Sequence, residues 1–116
     1  MKRSVLILVA SDPRISRRPA EAVRIAAGLS AWERVEVRLF FREEAVLALD
    51  HLAEELVDGE IFTKHLPGLV KSGVMVGAAQ DAPLLAKVTE PLAPYELLSL
   101  KQLALMAAQS NCVFTF

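Results

Sequence analysis

The side chains that could do chemistry are few, and they fall in four places. The first is the run Ser11-Asp12-Pro13-Arg14-Ile15-Ser16-Arg17-Arg18, three arginines with an aspartate and two hydroxyls between an apolar stretch and an alanine-rich one. Arg17 and Arg18 fall where the next helix begins, the wrong end for a cation in the helix dipole, at a cost of about 0.3–1 kcal/mol each. A local rule broken twice calls for a compensating partner: Asp12, Glu21, an acidic neighbouring chain, or a bound anion that also uses the backbone N–H groups. Solvated arginines without any partner are the plain alternative. The run holds no GxxxxGK[ST] or GxGxxG, so a glycine loop for nucleotide phosphates is not supported.

The second place is the only cysteine, Cys112. Among Val113, Phe114 and Phe116 it reads as a small buried hydrophobe with an inert thiol. A nucleophile would need exposure and a nearby cation or helix terminus. One cysteine also excludes an internal disulfide and any multi-cysteine metal site. The third is the histidine pair, His51 and His65, whose spacing to each other and to acids fits neither a metal site nor a triad. His51, beside Glu54 and Glu55, is expected at the surface. The fourth is Ala79-Gln80-Asp81, which follows an apolar run and can line a cleft; Asp81 also stands where it can cap a helix starting at Ala82-Pro83. No cofactor and no metal is expected.

The elements that must position these residues are legible from hydrophobic pattern. Val5 to Ala10 is an unbroken apolar run, as in a strand buried on both faces of a parallel sheet. Pro19 opens a helix that continues through Ala22, Val23, Ala26, Ala27 and Leu29. Arg34 to Phe41 alternates, with Glu36, Arg38 and Phe40 on the wetter side, which predicts a second strand at or near a sheet edge. Glu43 to Val57 has the stripe of an amphipathic helix (Ala45, Val46, Leu49, Leu52, Ala53, Leu56), with Asp50 on its wet side and Asp58-Gly59 ending it. Ile61 to Val70, broken by Pro67-Gly68, predicts a helical turn or two. Gly73 to Ala79 is a central strand, Ala82 to Val88 a short helix, Lys87 to Leu92 a brief fourth strand, Pro94 to Gln109 a helix and Asn111 to Phe116 the last strand.

Five strands with helices between them predict one α/β domain over residues 1–116, a mostly parallel five-stranded sheet in a three-layer α/β/α sandwich. An edge position for the second strand favours the order 2-1-3-4-5. The loop after the first strand then lies at the carboxyl edge of the sheet, where α/β proteins usually bind ligands. Charge is divided unevenly: residues 1–42 carry a net +5 and residues 43–116 a net −6. Faces of opposite sign suit self-association or an anion site, although a short chain also reaches such asymmetry by chance. The overall charge of −1 and the 6% aromatic content point away from nucleic acid. The opening MKRSVLILVA is too short in its apolar run for a leader, and no stretch has the ~20 apolar residues of a membrane span, so the cytoplasm and no membrane partner are expected.

Three stretches carry a resemblance to a known family: VLILVAS running into an alanine-rich helix, LVKSGVMVGAA before the third loop, and the terminal QSNCVFTF. In these, and in element order over the whole length, the chain resembles the DsrE/DsrF/TusD superfamily of small sulfur-relay proteins. The resemblance implies an α/β/α domain that assembles into trimers, hexamers or mixed complexes with related subunits. It also implies a persulfide-carrying cysteine just after the third strand in active members. Here that region reads Gly77-Ala78-Ala79-Gln80. Sulfur relay needs a thiolate there, and alanine has none. The chain is therefore similar to the non-catalytic partner subunits, whose work is assembly and recognition. The alternative reading is a small anion- or ligand-binding protein using the basic loop after the first strand, and a third is a thiol enzyme using Cys112.

Overall fold

The computed structural model describes residues 2–116. Five strands, β1 (Arg3–Val9), β2 (Val35–Phe41), β3 (Met75–Ala79), β4 (Glu96–Leu98) and β5 (Cys112–Thr115), form one sheet in which every pair is parallel. Three α-helices, α1 (Arg18–Ser30), α2 (Glu60–Lys71) and α3 (Leu100–Gln109), join them, with 3₁₀ turns at Glu43–Leu49, His51–Glu55 and Pro83–Lys87. The strand order is β4-β3-β2-β1-β5.

That order corrects the expected 2-1-3-4-5: β2 is the middle strand, not an edge. Its alternation has another cause. Val37, Leu39 and Phe41 face a thick layer built by α1, α2 and the 3₁₀ segments, where most of the core lies. Glu36, Arg38 and Phe40 face the side covered by α3 alone, where only Leu6, Phe40 and Leu103 are fully enclosed. A short helix over a wide sheet leaves polar residues wet on a central strand as well as on an edge. The chain winds from β1 to β4 in one direction and returns across the other face through α3 to β5, as right-handed crossovers require.

Several elements differ from the sequence reading. The helix expected over Glu43–Val57 is two 3₁₀ segments separated by Asp50, whose backbone is extended (φ −86°, ψ 158°). Asp50 is not on a wet side; it is 5% exposed. Its carboxylate accepts hydrogen bonds from the backbone N–H groups of Leu52 (3.3 Å), Thr89 (3.1 Å) and Glu90 (3.2 Å). The backbone on either side pairs with the same loop, His51 N–H with the Glu90 carbonyl and Leu92 N–H with that of Leu49, both at 2.8 Å. An aspartate that offers the backbone an alternative to the helix ladder breaks the helix here.

By contrast, α2 runs unbroken through Pro67. Pro costs about 3 kcal/mol within a helix, whereas burying Phe62, Leu66 and Leu69 contributes about 1.5–3 kcal/mol each, so packing prevails. Gly59, just before α2, lies against the carbonyls of Ala53 and Glu54 so closely that a Cβ has no room. The fourth strand is Glu96–Leu98, not Lys87–Leu92, whose only sheet-like pairing is the isolated Asp50–Pro91 bridge. Helix α3 consequently starts at Leu100 rather than Pro94, fixed by a capping box in which Ser99 and Gln102 satisfy each other's backbone N–H. No helix among the described residues is long and apolar enough to cross a membrane.

Candidate functional site

The carboxyl ends of the strands carry two groups of candidate residues. Beyond β1, the chain turns through Ser11 and Asp12, and the Ala10 and Ser11 N–H groups donate to the Phe116 carbonyl at 2.8 and 3.2 Å. The arginines of this loop do not converge. Arg14 reaches back to Asp12, with Nη2 to Oδ2 at 2.8 Å and Nε to Oδ1 at 2.9 Å, a fork that holds the Asp12 carboxyl below its ordinary value. Arg17, at the N-cap of α1, pairs with Asp58 at 3.3 Å. Arg18 donates from Nη2 to the Thr115 carbonyl at 3.1 Å and stands 5.6 Å from the centre of the Phe116 ring. Each cation at this helix start has a partner within the chain, a different one in each case.

Beyond β2 and β3 lies a cavity of about 270 Å³. Its walls are Phe40, Ala79, Ala82, Pro83, Leu98, Leu100 and Leu103, with Arg42, Glu43, Asp81 and Ser99 as the polar groups. Ala79 and Asp81 of the expected cleft therefore line it and Gln80 does not; the Gln80 backbone N–H donates to the Leu98 carbonyl at 3.0 Å. Asp81 does not cap the following 3₁₀ turn: Ala82 is the N-cap, and its side chain makes no cap bond. Arg42 and Glu43 were not among the residues singled out from sequence. The signal is their place, since they follow β2 directly at its carboxyl end, as Asp12 and Arg14 follow β1. Glu43 adopts left-handed backbone (φ 53°), uncommon for a residue with a side chain.

Cys112 corrects another expectation. It is exposed. It lies on β5, an edge strand bonded only to β1 and exposed on both faces, and pairs in register with Val5 near the amino end of the sheet. Three strands separate β5 from β4, and two separate it from the end of β3. His51 is at the surface, with Nδ1 3.2 Å from Asp50 Oδ1. Among the described residues no group of three His, Cys, Asp or Glu side chains is placed to hold a metal ion.

No family model matches the chain, and no curated protein matches it in sequence. Solved structures do. The crystal structure of the YchN protein from E. coli superposes with a TM-score of 0.83 over 100% of both chains, at 22% sequence identity. The chain has the DsrE-like fold. At the end of β3 the chain reads Ala78-Ala79-Gln80, with no cysteine, and beside it lies the cavity of Arg42 and Asp81.

Proposed function

We propose that this DsrE-like chain is a non-catalytic oligomeric subunit, related to the partner subunits of sulfur-relay complexes, that acts by binding and assembly. The observation that carries the reading is the apolar surface on the α3 and β5 side. Leu100 and Leu105 of α3 are 74% and 57% exposed, and Val113 of β5, in register with Leu6 on the same face, is 42% exposed. One ten-residue helix covers this side of a five-stranded sheet, and large apolar residues left outside in that number suit burial against another subunit. The absence of a thiol at the end of β3 supports a binding role, because the single cysteine lies at the opposite end of a different strand. The basic loop after β1 is the weaker candidate for an anion site, since Asp12, Asp58 and the Thr115 carbonyl already serve its arginines.

Light scattering on the purified chain tests the assembly directly. A multiple of the 12.7 kDa chain mass at micromolar concentration is expected, reduced in the double variant Leu100→Gln/Leu105→Gln; a wild-type monomer overturns the reading. Incubation with a persulfide donor followed by intact-mass analysis tests the chemistry. Stable sulfur transfer from Cys112 to an acceptor would restore the enzyme hypothesis.

A further inference from the structure

Arg42 stands apart from the other arginines. Arg14, Arg17, Arg18 and Arg38 each have a partner, Arg38 through Glu36 at 2.9 Å. Arg3, Arg24 and Arg34 are exposed, so water serves them. Arg42 is partly buried, and among the described residues its guanidinium has neither an ion pair nor a hydrogen bond. It lines the cavity at the carboxyl ends of β2 and β3, whose other walls are mostly apolar. Among the described residues no polar side-chain atom is both buried and unpartnered, so the guanidinium still meets solvent, and its N–H donors are open to an anion that enters the cavity.

We propose that this cavity binds a small monocarboxylate with an apolar body. The guanidinium of Arg42 takes the carboxylate through two parallel N–H···O bonds, the geometry that arginine's fork matches. The apolar body lies against Phe40, Leu98 and Leu103. Volume limits the ligand: about 270 Å³ is below the ~300–1,000 Å³ of pockets that take drug-sized molecules. Charge limits it as well. Glu43 and Asp81 line the same cavity and repel a multiply charged anion, so phosphate and sulfate are disfavoured against a single carboxylate. Ser99 and Leu100, at the amino end of α3, add the positive end of a helix dipole to the wall without adding a competing cation. The site is distinct from the arginines after β1, and Leu100 is the wall residue that it shares with the proposed apolar interface.

The test is a chemical-shift titration of the isotope-labelled full chain with isocaproate, phenylacetate, isocaproamide and sodium sulfate. At least one of the two carboxylates is expected to shift amides in residues 40–43, 79–83 and 98–103. Isocaproamide and sulfate are expected to bind at least tenfold more weakly, because one lacks the charge and the other carries too much. Arg42→Gln is expected to weaken the carboxylate at least tenfold while the spectrum away from the cavity is unchanged. Neither carboxylate binding at the cavity, equal binding of isocaproate and its amide, or sulfate binding as tightly as the acids each overturns the proposal. The acid–amide comparison uses the wild-type chain, so the conclusion does not depend on the variant folding.

Discussion

At the residue scale, exposure decides what the side chains can do. Cys112 reads as buried from its apolar neighbours, but an apolar strand is buried only where something packs on it, and β5 is an uncovered edge. Iodoacetamide is therefore expected to alkylate Cys112 in the native protein as fast as in denaturant. Cys112→Ser is expected to change stability by no more than about 0.5 kcal/mol. Protection from alkylation until the chain unfolds would show that β5 is covered in solution. The arginines at the start of α1 divide similarly. For Arg17, an exposed pair with Asp58 is worth about 0.2–1 kcal/mol and the unfavourable dipole about 0.3–1 kcal/mol, so Arg17→Gln is expected to be close to neutral in urea denaturation. Arg18 has two attachments, the Thr115 carbonyl and the Phe116 ring. Each is worth about 0.5–1 kcal/mol, so Arg18→Gln is expected to destabilise, and a gain in stability would mean that both contacts are idle.

Elements were legible where local pattern and packing agree, and obscure where one long-range contact overrides the pattern. The continuous runs of β1 and β3 and the alanine face of α1 identify themselves. The stripe holds at Ala45, Val46, Leu49 and Ala53, which are buried, but fails at Leu52, which is 55% exposed, and the backbone beneath it is 3₁₀. No local rule foretells that Asp50 will bind the Thr89 and Glu90 amides, 39 and 40 residues away. The start of α3 was misplaced at Pro94 because the run of leucines outweighed Ser99-x-x-Gln102, the capping-box signature that locates the start and frees Glu96–Leu98 to be a strand. In the candidate site, the Ala79–Asp81 segment was visible as the loop after an apolar strand. Arg42 had the same kind of place after β2, but what sets it apart is the lack of a partner among the described residues, which only the fold reveals. Asp50 also sets a pH dependence. Burial raises its carboxyl, but the Glu90 and Leu52 amides and His51 more than reverse that and leave it below the ordinary aspartate value. A depressed carboxyl contributes stability that is complete above its unfolded value of about 3.9 and is lost as pH falls through the lower folded one. Asp50→Ala is expected to lower stability at pH 7 by about 2–3 kcal/mol, and the difference from wild type is expected to shrink only below about pH 4. A difference constant down to acid pH would assign the effect to packing rather than to the charge.

At the scale of the molecule, two forces compete to explain assembly, and they respond to salt in opposite ways. The halves of the chain differ in charge, +5 against −6, which suits electrostatic association. Yet Arg14, Arg17 and Arg38 are already paired within the chain, which reduces the basic charge free to meet a neighbour. The apolar side chains of α3 and β5 have no such internal outlet. Exposed charges are screened beyond about 10 Å at 0.1 M salt and about 3 Å at 1 M, whereas apolar burial is not weakened by screening and is strengthened by excluded salts such as sulfate. The oligomer is therefore expected to keep its mass from 0.1 to 1 M sodium chloride, on the scale that removes exposed charge attraction, and to lose it in Leu105→Gln at either salt. Dissociation of the wild type at high salt, with Leu105→Gln assembling normally at low salt, would transfer the interface from the apolar side of α3 to the charged surfaces.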